Sequence, residues 1–178
     1  MFLSEATKYD PPPRTALVTW GDQFTQSISP RTVFPASSTD VVLPSSSNFN
    51  WSANMSSVQS AVTSRGNGPV MGGTNLSSGL DRAVAVLRGT NSSLYTNKVV
   101  ILLTDGEWNA GRDPIAAAND ARAQGITVHT ISMLTTQQPT LQSVASITGG
   151  KYIGTSNTAE LQAAFIELAK SLPVVLTD

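Results

Sequence analysis

Lys98-Val-Val-Ile-Leu-Leu-Thr104, running straight into Asp105-Gly106-Glu107, holds the most strongly apolar run in the chain. Such a run, without polar alternation, is the mark of a strand covered on both faces in a parallel sheet. Edge strands alternate, so Val99–Thr104 is expected to be the central and fully buried strand. The segments on either side fit a layered sheet. Upstream, Leu76, Leu80, Ala83, Val84 and Leu87 recur at helical spacing and give one apolar face. Downstream, Asp113-Pro114 supplies an N-cap and first-turn pair for a helix over Ile115–Ala123, closed by Gly125. Ile126–Met133 follows as a strand, Leu141–Ile147 as a helix stopped by Gly149-Gly150, Tyr152-Ile153 as a short strand, and Ala159–Leu172 as a last helix. Strands alternating with helices of this length predict an α/β fold, with a mostly parallel sheet flanked by helices in three layers.

The first half is less regular. Phe2–Tyr9 resembles the tail of a helix, halted by Pro11-Pro12-Pro13. Arg14–Trp20 is a strand ended by Gly21-Asp22, and Ser38–Leu43 a weaker one closed by Pro44. Residues 23–37 suit a surface excursion or hairpin, and 45–50 a polar loop. Val58, Ala61 and Val62 suggest a short helix ending at Arg65-Gly66, before a glycine-rich turn through Gly73.

Composition narrows the chemistry. The chain of 178 residues suits one domain, with a core large enough to need no staples. With 11 Lys+Arg against 12 Asp+Glu, binding by phosphate neutralisation or by a polybasic membrane surface is not expected. There is no cysteine and one histidine, so thiolate and His-rich metal sites are excluded and oxygen ligands remain. The first residues lack the basic and apolar regions of a signal peptide, and no stretch approaches the roughly 20 apolar residues of a membrane span.

Ligands of open parallel sheets collect at the carboxyl ends of strands. Two polar clusters belong there: Thr104-Asp105-Gly106-Glu107 after the apolar strand, and Gly72-Gly73-Thr74-Asn75 before a helix. A carboxylate and a hydroxyl begin a site for a hard divalent cation. Each also has a plainer reading, the first as a turn and the second as an N-cap.

Taken together, Gly72-Gly-Thr-Asn-Leu-Ser-Ser-Gly-Leu-Asp-Arg-Ala83 and Val99-Val-Ile-Leu-Leu-Thr-Asp-Gly-Glu107 resemble a von Willebrand factor type A domain. Gly125–Ile131 and Thr148-Gly-Gly-Lys-Tyr152 are similar to that family's closing half. The resemblance covers about residues 14–172, and the loops and tail are similar to bacterial pilus-assembly proteins of the tight-adherence type. It implies a Rossmann-like fold in a single domain over 1–178, with 1–13 the tail of the first helix and 173–178 a C-terminal extension. It implies Thr74 and Asp105 as ligands of Mg²⁺ or a similar cation, with Gly73, Asn75, Gly106, Glu107 and Trp108 as supporting or partner-contact residues. The family's Asp-x-Ser-x-Ser motif is absent. The expectation is therefore an N-terminally truncated domain, lacking its first central strand and holding a cation weakly if at all. The strands at Thr15–Trp20 and Val99–Thr104 are then expected to pair directly or to leave a gap. The alternative is that the tail Pro173–Asp178 fills that gap and brings Asp178 near Asp105.

By resemblance the function is a non-enzymatic adhesion or pilus-assembly module, extracytoplasmic or at the cell surface. Its protein partner would sit on the carboxyl-end face, with no nucleic acid and no membrane segment involved. The alternative is a metal-independent structural segment of a larger cell-surface protein. A hydrolase is disfavoured, since no general base stands beside a nucleophile and neither G-x-S-x-G nor a P-loop occurs. His129 reads as a packed histidine, and Trp20 and Trp51 as core or lid residues.

Overall fold

Five strands and four helices follow one another in a computed structural model that describes residues 8, 15–21, 39–43, 58–60, 62–63, 73–89, 96–133 and 138–172. They are β1 (Leu17–Trp20), β2 (Thr39–Leu43), α1 (Leu76–Leu87), β3 (Lys98–Thr104), α2 (Pro114–Ala123), β4 (Ile126–Met133), α3 (Pro139–Thr148), β5 (Tyr152–Thr155) and α4 (Thr158–Lys170). Val58–Ser60 and Val62–Thr63 are also helical. Apart from Lys8, the expectations for Phe2–Tyr9 lie outside the described residues. So do those for residues 23–37 and 45–50, Trp51, the turn Gly66–Gly72 and the tail with Asp178.

The closing half forms as its signals direct. Asp113 caps α2 by accepting the Ile115 N–H at 2.9 Å, with Pro114 in the first turn. Gly149 ends α3 in the left-handed region at φ 73°. Asn157 accepts the Glu160 N–H at 2.9 Å, while the Glu160 carboxylate takes the Ser156 N–H at 2.7 Å. These two bonds start α4 in the manner of a capping box, with the carboxylate's partner one residue before the N-cap. The bonds from the Ser156 backbone and hydroxyl hold the Glu160 carboxyl below its ordinary range.

β3, β4 and β5 form a parallel sheet in that order, with Val100 opposite Val128 and Ile131 opposite Ile153. Side chains alternate across it. Val100, Leu102, Ile126 and Val128 face α1, α2 and α3, where Leu76, Leu80, Ala117, Ala121, Leu141 and Val144 complete one core. Ile101, Leu103, Ile131 and Ile153 face α4 through Leu161, Ala164, Phe165 and Leu168. Helices on both sides make the three-layer, Rossmann-like α/β arrangement. Among the described residues, no helix is long and apolar enough to cross a membrane.

β1 and β2 form a separate antiparallel pair, Trp20 opposite Thr39. Trp20 nevertheless packs on the same core as Val100 and Leu102, against α1. The fit is close, since a Cβ at Gly79 would stand 2.5 Å from the indole.

One expectation is corrected here. The central strand of the described parallel sheet is β4, not β3. β4 is buried along nearly its whole length, whereas only Leu102 and Thr104 of β3 are fully buried. An apolar run reports cover on both faces; it does not report a hydrogen-bonded partner on both edges, and among the described residues β3 has one on the β4 side. Of the two arrangements expected for β1 and β3, direct pairing or a gap, direct pairing is not seen among the described residues.

His129 is a packed residue. Its Nδ1 accepts the Lys151 N–H at 2.9 Å, across the start of β5. Burial, helped by the Lys151 charge, pushes its pKa down, so the imidazole stays neutral and the bond is kept.

Candidate functional site

The site is assembled from the end of β3 and the start of α1. Thr104, the last residue of β3, folds its hydroxyl back: Oγ1 accepts the Gly106 N–H at 3.1 Å. That bond turns the chain so that Asp105 projects outward, exposed at the carboxyl end of the strand.

Asn75, not Thr74, is the N-cap of α1. Its Oδ1 accepts the Ser78 N–H at 3.1 Å and the Ser77 hydroxyl at 3.0 Å. Thr74 stands one residue earlier and is released from capping. Its hydroxyl lies against the Asp105-Gly106 turn, where a Cβ on Gly106 would come within 2.7 Å of Thr74 Oγ1. Sequence reasoning thus placed Thr74 and Asp105 at one point of the fold, and the structure brings the two segments together. Gly73 is half-buried beside them, and Glu107 is exposed. Trp108 is 39% exposed and donates its indole N–H to Ala110 O at 2.6 Å.

Asn109 was not singled out by sequence reasoning. Its Oδ1 accepts the Thr74 N–H at 2.8 Å, and its own N–H donates to Thr74 O at 3.2 Å. The two loops are clasped through both backbone groups of Thr74. No sequence signal reveals a bond across 35 positions, and an asparagine in a polar loop is ordinary. Replacing Asn109 by alanine removes one bond of the pair, about 1 kcal/mol. The Thr74 amide should then exchange with solvent at least several-fold faster, while amides of β4 keep their protection. Unchanged exchange at Thr74 would mean the clasp contributes nothing to order.

Arg112 ties the far end of the same loop to two helices. Its guanidinium grips both oxygens of Asp81 on α1, Nε to Oδ2 at 2.9 Å, and reaches Asp120 of α2 at 2.8 Å. The bond to Asp81, with the neighbouring Asp120, raises the Arg112 pKa further above its already high value. Each of these groups is substantially exposed, so the triad contributes geometry more than stability.

The donors available at the site are hard oxygens. Among the described residues neither Thr74 Oγ1 nor the Asp105 carboxylate has a hydrogen-bond partner, and no three His, Asp or Glu side chains cluster to form a closed cage. A set of hard oxygens on adjoining segments, an exposed carboxylate and a hydroxyl, fits a small divalent cation that keeps most of its waters. It does not fit a soft or tightly enclosed metal.

A profile of the von Willebrand factor type A domain matches residues 14–167. No curated protein matches the sequence. Among solved structures, the chain is similar to the VWA domain of SpRpn10, with TM-score 0.65 and 14% identity, covering 100% of this chain and 82% of that one. It is similar to the conserved hypothetical protein BatB from Bacteroides thetaiotaomicron, with TM-score 0.67, 14% identity and coverage of 95% and 82%. It is also similar to proximal thread matrix protein 1 of the mussel byssus, solved with a zinc-occupied MIDAS motif, at TM-score 0.62, 20% identity and coverage of 94% and 38%. At these identities the structural likeness is one of fold. With the profile spanning most of its length and the strand-end site formed by the same two segments, the chain belongs to the von Willebrand factor type A domain family.

Proposed function

We propose that this chain is a non-enzymatic protein-binding module that meets its partner at the carboxyl end of the sheet, through Thr74, Asp105 and the loop from Gly106 to Trp108. One observation carries the reading. Thr74 Oγ1 lies against the Asp105-Gly106 turn at the strand end, neither it nor the Asp105 carboxylate has a hydrogen-bond partner among the described residues, Asn109 clasps the two segments, and an exposed tryptophan stands in the adjoining loop. Thr74 and Asp105 would hold Mg²⁺ or a similar ion, which supplies an open coordination position for a partner carboxylate. The protein's own part is to fix the two donors and to present Trp108 as apolar contact area. We further propose a role in adhesion or pilus assembly outside the cytoplasm, a reading supported by the family resemblance alone.

Equilibrium dialysis with Mn²⁺ and Mg²⁺ tests the cation. The chain should bind one ion weakly, and Asp105→Ala should lower the affinity at least tenfold while leaving the thermal midpoint nearly unchanged, because Asp105 is exposed. The alternative is a metal-independent structural segment, favoured by the lack of a third acidic or histidine ligand among the described residues. Absence of binding by the unsubstituted chain selects that alternative.

A further inference from the structure

We infer that Asp105-Gly106 is a modification site, at which the Asp105 carboxyl closes on the Gly106 nitrogen to a succinimide that reopens as isoaspartate, and that the Thr104 hydroxyl is the latch setting the rate. The pair is singular in this chain: no other aspartate precedes a glycine. A Cβ on the following residue hinders the attack, and a following proline, as after Asp10 and Asp113, has no N–H to give up. Asp81 and Asp120 lie on α1 and α2 and are held by Arg112. Asp105 is exposed, and among the described residues nothing ties its carboxylate down. The site itself asks for the labile pair, since a Cβ at Gly106 would stand 2.7 Å from Thr74 Oγ1.

The chemistry needs no reactant but water. The Gly106 nitrogen attacks Cγ of the protonated Asp105 carboxyl. The N–Cγ bond forms, the Cγ–OH bond breaks, and water leaves with that hydroxyl and the amide proton. Water then adds back at one of the ring carbonyls. Opening at Cγ restores aspartate. Opening at the main-chain carbonyl breaks the original peptide bond and leaves the chain running through Cβ and Cγ. The mass is unchanged, but the backbone is lengthened by a methylene and the free carboxylate now sits on Cα. Closure needs the Gly106 N–H released, and Thr104 holds it: Oγ1 accepts that N–H at 3.1 Å and donates to Gly106 O at 3.1 Å. Thr104 is buried, so the latch is anchored in the sheet while Asp105 faces solvent. On the cation-binding reading proposed above, on which this consequence rests, the displaced carboxylate no longer joins Thr74, and the rearrangement retires the site with age.

The full chain and its Thr104→Val and Thr104→Ser variants are aged in warm, mildly acidic buffer and digested, and isoaspartate is located by electron-transfer fragmentation of the peptides. Peptide-level reading separates Asp105 from Asn67-Gly68, a pair that closes the same ring with loss of ammonia. The unsubstituted chain should accumulate isoaspartate at Asp105 ahead of every other aspartate. The serine variant, which keeps the hydroxyl, should match it. The valine variant should age about fivefold faster, the factor one neutral hydrogen bond controls, with β4 amides still protected. No isoaspartate at Asp105 in the unsubstituted chain would overturn the proposal, as would equal rates in that chain and the valine variant, or a serine variant as fast as the valine one. If Thr104→Val costs the protection of β4, the Gly106 amide of the unsubstituted chain decides. It should exchange at least severalfold more slowly than an unstructured amide, and exchange at the unstructured rate overturns the latch. Mn²⁺ binding is read separately, on the unsubstituted chain and on its purified isoaspartate form. An unsubstituted chain that binds no ion removes the cation reading and leaves the isoaspartate result standing. An isoaspartate form that binds Mn²⁺ as tightly as its precursor overturns the retirement of the site.

Discussion

Replacing Gly150 by alanine should destabilise the fold by about 3 kcal/mol, while the same change at its neighbour Gly149 should cost only about 1 kcal/mol. The order runs against the dihedral angles, since Gly149 holds the positive φ of 73° and Gly150 does not. Space decides it. A Cβ at Gly149 meets nothing within 4 Å, whereas one at Gly150 would lie 1.9 Å from Val128 O and 2.6 Å from the carbonyl carbon. That neighbour is backbone in the middle of β4 and cannot rotate aside. Nor can residue 150 back away, because its N–H donates to Ala145 O at 2.8 Å. Thr148 fixes the same approach, its hydroxyl accepting the Val128 N–H at 3.0 Å and donating to Val144 O at 3.1 Å. The Thr148-Gly149-Gly150 run is thus three devices in sequence: a clasp to β4, a left-handed helix stop, and a residue without a side chain where α3 and β4 nearly touch. Urea midpoints of the two variants check the order, and equal or reversed losses would refute the close approach.

Much of this arrangement could be read from local chemistry. The helical spacing from Leu76 to Leu87, the Asp113-Pro114 start and the Gly149 stop each act through residues a few positions away, and each element formed where its signals lie. Thr74 and Asp105 were legible for a similar reason, because strand ends and helix starts are the places where such a sheet gathers polar groups. The failures are all relational. The apolar run of β3 states how both of its faces are covered, but the partner on each edge is a property of the whole sheet. The capping role fell to Asn75 because its Oδ1 reaches both Ser77 and Ser78, which leaves Thr74 outside the helix. Thr74→Ala is therefore not the loss of a cap. Asn109 and Arg112 act across 35 and 31 positions, and nothing in their own neighbourhoods marks them.

Gly111→Ala should damage the fold and the site together. Gly111 has a φ of 79°, and a Cβ there would fall 2.0 Å from Asn75 Oδ1 and 2.5 Å from its Cγ. The left-handed backbone alone costs an alanine roughly 1–2 kcal/mol. Displacing the Asn75 side chain also breaks the bonds to Ser77 and Ser78, and loss of such a cap costs about 1 kcal/mol. The loop has little freedom to yield, being pinned by Asn109 on Thr74 before Gly111 and by Arg112 on Asp81 and Asp120 after it. A combined loss of about 2–3 kcal/mol is expected in urea unfolding. Because Asn75 follows Thr74 directly, its displacement should also move the Thr74 hydroxyl and lower Mn²⁺ affinity severalfold. Gly106→Ala separates the two effects. Its Cβ would press on Thr74 Oγ1 at 2.7 Å, a contact that rotation of one threonine side chain relieves. That variant should keep most of its stability and still bind Mn²⁺ poorly, because the Thr74 hydroxyl has been pushed off the Asp105-Gly106 turn. If Gly111→Ala unfolds early but binds the ion as the parent chain does, the cation does not depend on Thr74, and Asp105 holds it with other groups.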